Sequence, residues 1–403
     1  MIDFVHLHVH SQYSILDGQA SIQRLVDKSL ADGMQGIALT DHGNMFGVKE
    51  FWNYVGKKNK DYKGKVKSLK SLIERLENGT ATPEEQGENA EESLEKAKAD
   101  LAALPPKEFK AILGCEVYVA RRGLTRKEGK EDQSGYHLIL LAKNLQGYKN
   151  LIKIVSKAWT DGFYMRPRTD HTELEKYHEG LICCSACLGG EIPKLITSER
   201  LQEAEEAVLW HKNLFGDDYY LELQLHKATV ENANHEAYRE QLIVNEKLIE
   251  YSHKFGIKLV CTNDVHFVDE EHAEAHDRLI CLGTGKDLDD PRRMLYSKQE
   301  WMKTTAEMNA IFGDVPESLD NTIEVCNKVE TYSIDHSPIM PTFAIPEEFG
   351  TEEGYRQKYS EQDIFNEFTR DENGNVVMSE DEAKKKIDRL IKEIDRCISL
   401  MEG

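Results

Sequence analysis

The chain has 403 residues, with 51 Lys and Arg against 72 Asp and Glu and a net charge of −21. That length suits one barrel-sized unit with an extension, or two to three domains, and so acidic a surface repels nucleic acid except at a local basic or metal-lined cleft. No apolar run reaches the roughly 18 residues of a membrane span, the start MIDFVHLHVH lacks a secretion signal, and 8 cysteines without the framework of a short secreted chain read as reduced thiols, which together predict a soluble, cytoplasmic protein.

In chain order, the first apolar run is FVHLHV, read as a strand with His6, His8 and His10 on alternate positions and therefore on one face. ASIQRLVDKSLADG has helical spacing, GIALT reads as a strand, and NMFGVKEFWNYVGKK as a helix. Residues 57 to 109 are almost free of strand signals. A lysine-rich start precedes Leu69, Leu72, Ile73 and Leu76; Thr82 with Pro83 looks like an N-cap, and Leu94, Ala97, Leu101 and Leu104 form a second stripe. The segment reads as an inserted helical hairpin, a solvated decoration or else a partner or DNA contact through its lysines.

The alternation then resumes. AILGCEVYVA, YHLILLA, LICCSA, YYLELQL and IKLVCT read as buried strands, and LQGYKNLIKIVSKAW, LQEAEEAVLWHKNLFG and NHEAYREQLIVNEKLIEYSHKFG as helices. Strand followed by helix predicts an α/β fold with a mostly parallel sheet. Lacking a Gly-rich dinucleotide turn, the pattern favours a closed or distorted barrel over an open sheet. We expect the barrel to span residues 1–285, with the insert at 57–109. Residues 286–403 form an extension with the small helices EWMKTTAEMNAIFG and ESLDNTIEVCNKVE, the proline-containing SPIMPTFAIPEEFG and a last amphipathic helix, EDEAKKKIDRLIKEIDRCISLMEG.

Residues able to bind metal recur at strand ends. His8 and His10 are followed in the next loop by Asp17; then come Asp41 and His42 in TDH, Glu116 in GCE, His137 in YH, Cys187 in SAC, and Asp264 and His266 in NDVH. Strand ends of a parallel barrel gather on one face, so these side chains are expected to converge. Imidazoles, carboxylates and one thiolate suit Zn, Mn or Fe better than Mg or Ca, and so many donors fit two or three divalent ions.

The words FVHLHVHSQYSILDG, IALTDHGNMFG, YHLILLAKNLQGYKNLIKIVS, GFYMRPRTD, GLICCSACLGGEIPKLI, KLVCTNDVHFVDEEHAEAHDRLICLGTGK and DDPRRMLYSKQEWMKT resemble the polymerase and histidinol phosphatase (PHP) family, and within it the N-terminal part of bacterial replicative DNA polymerase III alpha subunits. The resemblance implies a distorted (β/α)7-type PHP barrel with a helical insert and a small helical C-terminal extension. It also implies metal ligation by His8, His10, Asp17, His42, Glu116, His137, Cys187, Asp264 and His266, with His6 outside the set. Ala186 stands where the family pattern leads us to expect glycine.

The chemistry that follows is metal-assisted hydrolysis of a phosphoester, which for a polymerase implies a 3'-5' exonuclease acting on the 3' end of a strand. Asp41 and Asn263 are candidates for orienting imidazoles. Arg166, Arg168, Lys286, Arg292 and Arg293 are candidates for phosphate contacts, and Tyr13 or Tyr164 for stacking on a base. TGK at Thr284 to Lys286 lacks the rest of a phosphate-binding P-loop, and DLDDP does not match the family's polymerase aspartates, so this stretch alone is not expected to polymerise DNA. The competing readings are a metal-stapled scaffold that braces a polymerase core or binds a proofreading subunit, and a free-standing small-molecule phosphatase. Expected partners are DNA, the rest of a polymerase chain and other replisome subunits.

Overall fold

The computed structural model describes residues 1–337 except 16 and 106, together with 354, 357, 358, 366, 369–379, 381–386, 388, 389 and 392. The chain forms two compact units, Met1–Tyr332 and Ser333–Gly403. SPIMPTFAIPEEFG lies outside the described residues beyond its first serine, as does most of the last predicted helix, of which residues 381–386 are described as helical. No described helix is long and apolar enough to cross a membrane.

The first unit contains, in order, α1 (Ile22–Ala31), β1 (Gly36–Leu39), α2 (Val48–Glu77), α3 (Pro83–Gln86), α4 (Ala90–Ala102), β2 (Lys110–Val119), β3 (Tyr136–Ala142), α5 (Leu145–Thr160), β4 (Arg168–Thr169) and α6 (His171–Tyr177). It continues with β5 (Leu181–Cys184), α7 (Glu191–Thr197), α8 (Leu201–Phe215), β6 (Tyr219–Leu223), α9 (Glu236–Phe255), β7 (Lys258–Cys261), α10 (Ala273–Thr284), α11 (Thr305–Phe312) and α12 (Pro316–Lys328). The strands form one sheet in the order β1-β2-β3-β5-β6-β7, with β4 on β2.

The sheet is mixed rather than mostly parallel. β3 runs antiparallel to both β2 and β5, while the other pairings are parallel. The 120–135 connection from β2 holds only a single helical turn, Lys130–Asp132, and no crossover helix, and β3 lies antiparallel beside β2. His137 therefore stands at the start of β3, and the reversed strand still delivers it to the end of the sheet where Glu116 stands on β2.

FVHLHV is not a ladder strand, but it closes the barrel. The amides of Ala38 and Thr40 donate to the carbonyls of His6 and Val9 at 2.9 and 2.8 Å. On its other side His10 N donates to Val265 O at 2.7 Å and Val265 N to His8 O at 3.1 Å. The segment thus joins the β1 edge to the chain just past β7, and a bend at His8 breaks its alternation. Val5 and Leu7 enter the interior cluster. His6, which even spacing puts beside His8 and His10, instead bonds Lys303 O at 2.8 Å; burial pushes its pKa down to about 4, so it is a neutral packing residue.

The interior is apolar at one end and polar at the other. Ala38, Ile112, Ile139, Leu141, Ile182, Cys184, Tyr220 and Val260 fill the apolar end, sealed by Val325, Cys326 and Val329 at the end of α12. Lys110 Nζ caps that helix by donating to the carbonyls of Cys326 at 2.7 Å and Val329 at 2.5 Å. The compact unit therefore reaches to Tyr332, past residue 285. At the opposite end the same strand faces carry Glu116, His137 and Glu222, two or four residues from Ile112, Ile139 and Tyr220.

The insert is helical. Its lysine-rich start is not a separate element: α2 is one helix of 30 residues that continues the NMFGVKEFWNYVGKK stretch, because Gly56 and Gly64 lie inside it without breaking it. Thr82 and Glu85 form the capping box of the single turn α3, while α4 starts at a separate cap, Asn89, and packs back on α2.

Lys303 is a buried ammonium, 3 % exposed, whose Nζ lies 3.3 Å over the Trp301 ring and donates to Gln299 O at 2.5 Å. Burial pushes its pKa down to about 7. Between about pH 7 and the ordinary lysine value of about 10.4 the unfolded chain holds a proton that the folded chain does not, so stability rises with pH there. Lys303→Met should raise the midpoint of urea unfolding at pH 7 and flatten its rise toward pH 10; Gln299 O keeps a donor in Asn263 Nδ2 at 2.8 Å.

Candidate metal centre

All nine residues expected as ligands meet at the polar end of the barrel. Glu116, fully buried, lies at the middle. Its Oε1 is 3.3 Å from His8 Nε2 and 2.8 Å from His137 Nδ1; its Oε2 is 3.9 Å from His10 Nε2 and pairs with His42 Nδ1. Asp264 Oδ1 is 3.1 Å from His8 Nε2 and 3.2 Å from His10 Nε2, and Asp17 Oδ2 is 3.2 Å from His42 Nε2. Cys187 Sγ lies 3.5 Å from His137 Nδ1, and the His266 ring centre 4.4 Å from that of His10. Three donor triads result: His10, His42 and His266; His8, His10 and Asp264; Glu116, His137 and Cys187.

Hydrogen bonds behind the rings choose the tautomers. His8 Nδ1 donates to Glu222 Oε1 at 2.7 Å, His10 Nδ1 to Ser14 Oγ at 3.0 Å, and His266 Nδ1 to Asp264 O at 2.7 Å. Each leaves its Nε2 lone pair aimed into the cluster. Asp41 acts on His10 through Ser14, whose hydroxyl donates to Asp41 Oδ1 at 2.9 Å, while Ser11 N and Oγ occupy the rest of that carboxylate. Asp264 and Ala186 both adopt left-handed backbone, φ +46° and +62°. That conformation costs roughly 1 kcal/mol in a non-glycine residue. It is why glycine suits position 186; the alanine methyl packs in the interior cluster in return.

The electrostatics call for cations. Among the described residues, the ion-pair partners of Asp17, Glu116, Glu222 and Asp264 are histidines, not lysine or arginine. Buried Asp17 Oδ1, Glu116 Oε2, Asp264 Oδ1 and His266 Nε2 have no hydrogen-bond partner, a costly state that a bound cation relieves. Burial opposes charge on His8, yet Asp264 and Glu222 outweigh it and hold the ring's pKa well above the ordinary value. His42 is raised likewise, its burial overcome chiefly by Asp17. Burial and the neighbouring His42 and His266 push His10 down to about 3. The Cys187 thiol is pushed well up by burial and by Asp264 and Glu116, so a thiolate there needs a cation beside it. The donor set fits divalent metal.

The PHP domain profile matches residues 6–226, which contain seven of these nine residues. The chain belongs to the PHP domain family. The DNA polymerase III alpha subunit of Borreliella burgdorferi is 39 % identical over 351 residues, covering 86 % of this chain and 26 % of that protein. The corresponding subunit of Treponema pallidum is 36 % identical, covering 88 % and 26 %, and that of Thermus aquaticus 34 %, covering 86 % and 24 %. This PHP chain thus spans about a quarter of the length of the curated relatives it matches.

Several other expectations are corrected by the PHP barrel. Arg168 is completely buried, its Nε donating to Gly162 O at 3.0 Å beneath the Tyr164 ring, so it shapes a loop and cannot meet phosphate. Arg293 is locked in a buried pair with Asp277. Lys286 is half-exposed beside Asp290, and Arg292 stays exposed. Asn263 donates to Gln299 O and Trp301 O, both at 2.8 Å, and holds that strap rather than an imidazole. The Tyr13 hydroxyl is committed to Glu50 at 2.8 Å. Cys184 and Cys187 stand at CxxC spacing, but Cys184 packs in the apolar cluster while Cys187 joins the metal donors.

Glu222 was missed. Its one visible signal is a carboxylate inside the apolar run YYLELQL. Besides His8, its Oε1 accepts from Gln224 Nε2 at 3.0 Å and Thr262 Oγ1 at 2.5 Å. Glu222→Ala should weaken metal binding about 10–100-fold in competition with a chromophoric chelator, and Glu222→Gln, which keeps an acceptor for His8, should recover most of it.

Proposed function

We propose that this chain is the N-terminal PHP part of a bacterial replicative DNA polymerase III alpha subunit, and that its centre holds two to three divalent ions, Zn, Mn or Fe, and hydrolyses phosphodiesters as a 3'-5' exonuclease. One observation carries the reading: nine donors from segments as distant as His8 and His266 converge, and their buried carboxylates find histidines as ion-pair partners. Ions in such a set lower the pKa of water from about 15.7 to about 7 and offset the charge that builds on a phosphodiester. The chain's own part is to fix them: Glu116 offers an oxygen to each of two donor groups, Asp264 lies between His8 and His10, and Ser14 and Glu222 hold the rings in the ligating tautomer.

The side chains at the rim, Asp17, His42, His137 and Asp264, keep 13–25 % exposure and face an incoming phosphate. Beside them Phe46, Trp159 and Phe163 form an exposed aromatic row, with ring centres 6.0 and 5.5 Å apart, anchored by Trp159 Nε1 donating to Gly43 O at 2.8 Å. Such a row suits stacking of unpaired bases, which favours a single-stranded 3' end as substrate; Arg166, part-exposed near Tyr118, is a candidate for a phosphate contact. Partners on this reading are DNA, the remainder of the polymerase chain and other replisome subunits, in the cytoplasm.

A second reading is favoured by the deep burial of His8, His10 and Glu116: the ions only staple loops and the barrel is a scaffold. Incubating a 3'-labelled single strand with the chain and added Mn or Zn separates the two. Release of labelled mononucleotide is expected. An absence of turnover by fully metal-loaded protein overturns the exonuclease and leaves the scaffold.

A further inference from the structure

On the flank of the barrel, in a set that shares no side chain with the nine donors, His171 opens α6, Glu191 opens α7 and His211 lies in α8. One donor atom from each lies within 4.8 Å of the others. His171 Nε2, Glu191 Oε2 and His211 Nε2 are all buried, and none has a hydrogen-bond partner. We propose that these three residues form a second, separate metal site, for a single zinc ion with water as its fourth ligand.

The chemistry of each donor supports this. His211 is 1 % exposed, and its Nδ1 donates to Ala207 O at 2.8 Å, so the buried Nε2 carries a lone pair with nothing to receive it. Leaving such an atom unpaired costs about 1–3 kcal/mol. His171 Nε2 and Glu191 Oε2 are 3.4 Å apart without hydrogen-bond geometry. Two ligands held at about 2.0–2.1 Å on a tetrahedral zinc lie roughly 3.3 Å from each other.

The rings are fixed before any ion arrives. His171 stacks on Trp210 with ring centres 4.0 Å apart, and His211 on Tyr219 at 5.3 Å. The neighbouring Asp170 is not a competing ligand, because its two oxygens accept from Glu173 N and Leu124 N at 3.0 and 2.9 Å. A cavity of about 140 Å³ bordered by Arg121 and Thr172 reaches two of the three donors, His171 and Glu191, and has room for a water as the fourth ligand. Two imidazoles and one carboxylate with one open position form a zinc set. Because Glu191 follows the Cys187–Gly190 turn, an ion here would also pin the loop that carries Cys187.

Elemental analysis of the full chain after dialysis against limiting zinc tests this without any activity assay. Wild type should hold one more zinc than His171→Gln or Glu191→Gln, and Glu116→Gln, altered only in the barrel centre, should keep that ion. Anomalous scattering at the zinc edge should place a peak between the three side chains, and it decides the matter should a variant fail to fold. Equal zinc content in wild type and both flank variants, no peak, or a peak only in crystals soaked in excess zinc overturns the site, whatever the barrel centre binds.

Discussion

Glu116→Gln is expected to lower metal-dependent hydrolysis by more than about a hundredfold while leaving the barrel folded. The magnitude follows from the position. Changing groups that merely orient a ligand typically costs about 10–100-fold, and Glu116 touches the donors themselves: Oε1 meets His8 and His137, and Oε2 meets His10 and His42. Glutamine has the same shape, so the close packing of β2 survives. However, it offers one weak oxygen where two charged ones stood, and turns an N–H₂ group toward the cations. Initial rates on a 3'-labelled strand, read together with metal content, check this. Wild-type rates with wild-type metal content would show that Glu116 is not a ligand.

Stripping the metal should lower the unfolding temperature by about 5 °C at neutral pH. An ion present at a hundred times its dissociation constant stabilises the fold by about 2.7 kcal/mol, and each kcal/mol moves the midpoint of a large domain by about 2 °C. The drop should widen as pH rises. In the stripped protein, protons on His8 and His42 offset the buried carboxylates, and both rings have raised pKa values. A histidine whose folded pKa is raised contributes stability fully below its unfolded value of about 6.5 and loses it as pH climbs through the folded value. Bound cations replace those protons, so the loaded protein should vary less over the same range. Thermal scans with and without chelator at pH 6 and pH 8 measure this. A difference that shrinks toward pH 8 would contradict the assignment, and in Glu116→Gln the chelator effect should shrink to what the flank ion contributes.

Much of this centre is legible in short words of the chain. His8 and His10 two apart, Asp41-His42 after GIALT, and Asp264 with His266 after IKLVCT each lie next to a strand signal, and local geometry alone puts each at a strand end. Strands β1, β2, β3, β5, β6 and β7 are legible for the same reason, since apolar runs bounded by turn residues declare themselves within a few positions; the two-residue β4, Arg168–Thr169, carries no such run. Arg168 shows the limit of such reading. Its word GFYMRPRTD suggests an exposed cation, yet its guanidinium is buried against Gly162 O.

The remainder depended on distant segments meeting. That FVHLHV closes a barrel instead of pairing as a regular strand, that β3 runs backward and still brings His137 to Glu116, that Glu222 stands behind His8, and that His171, Glu191 and His211 share a pocket all depend on which faces pack together. Chain spacing sets the direction of a side chain only relative to its near neighbours, over a turn of helix or a few residues of strand. Which far-off donor it faces is settled when the apolar strand faces and the end of α12 bury one another, and that packing alone brings His8 within 3.3 Å of Glu116.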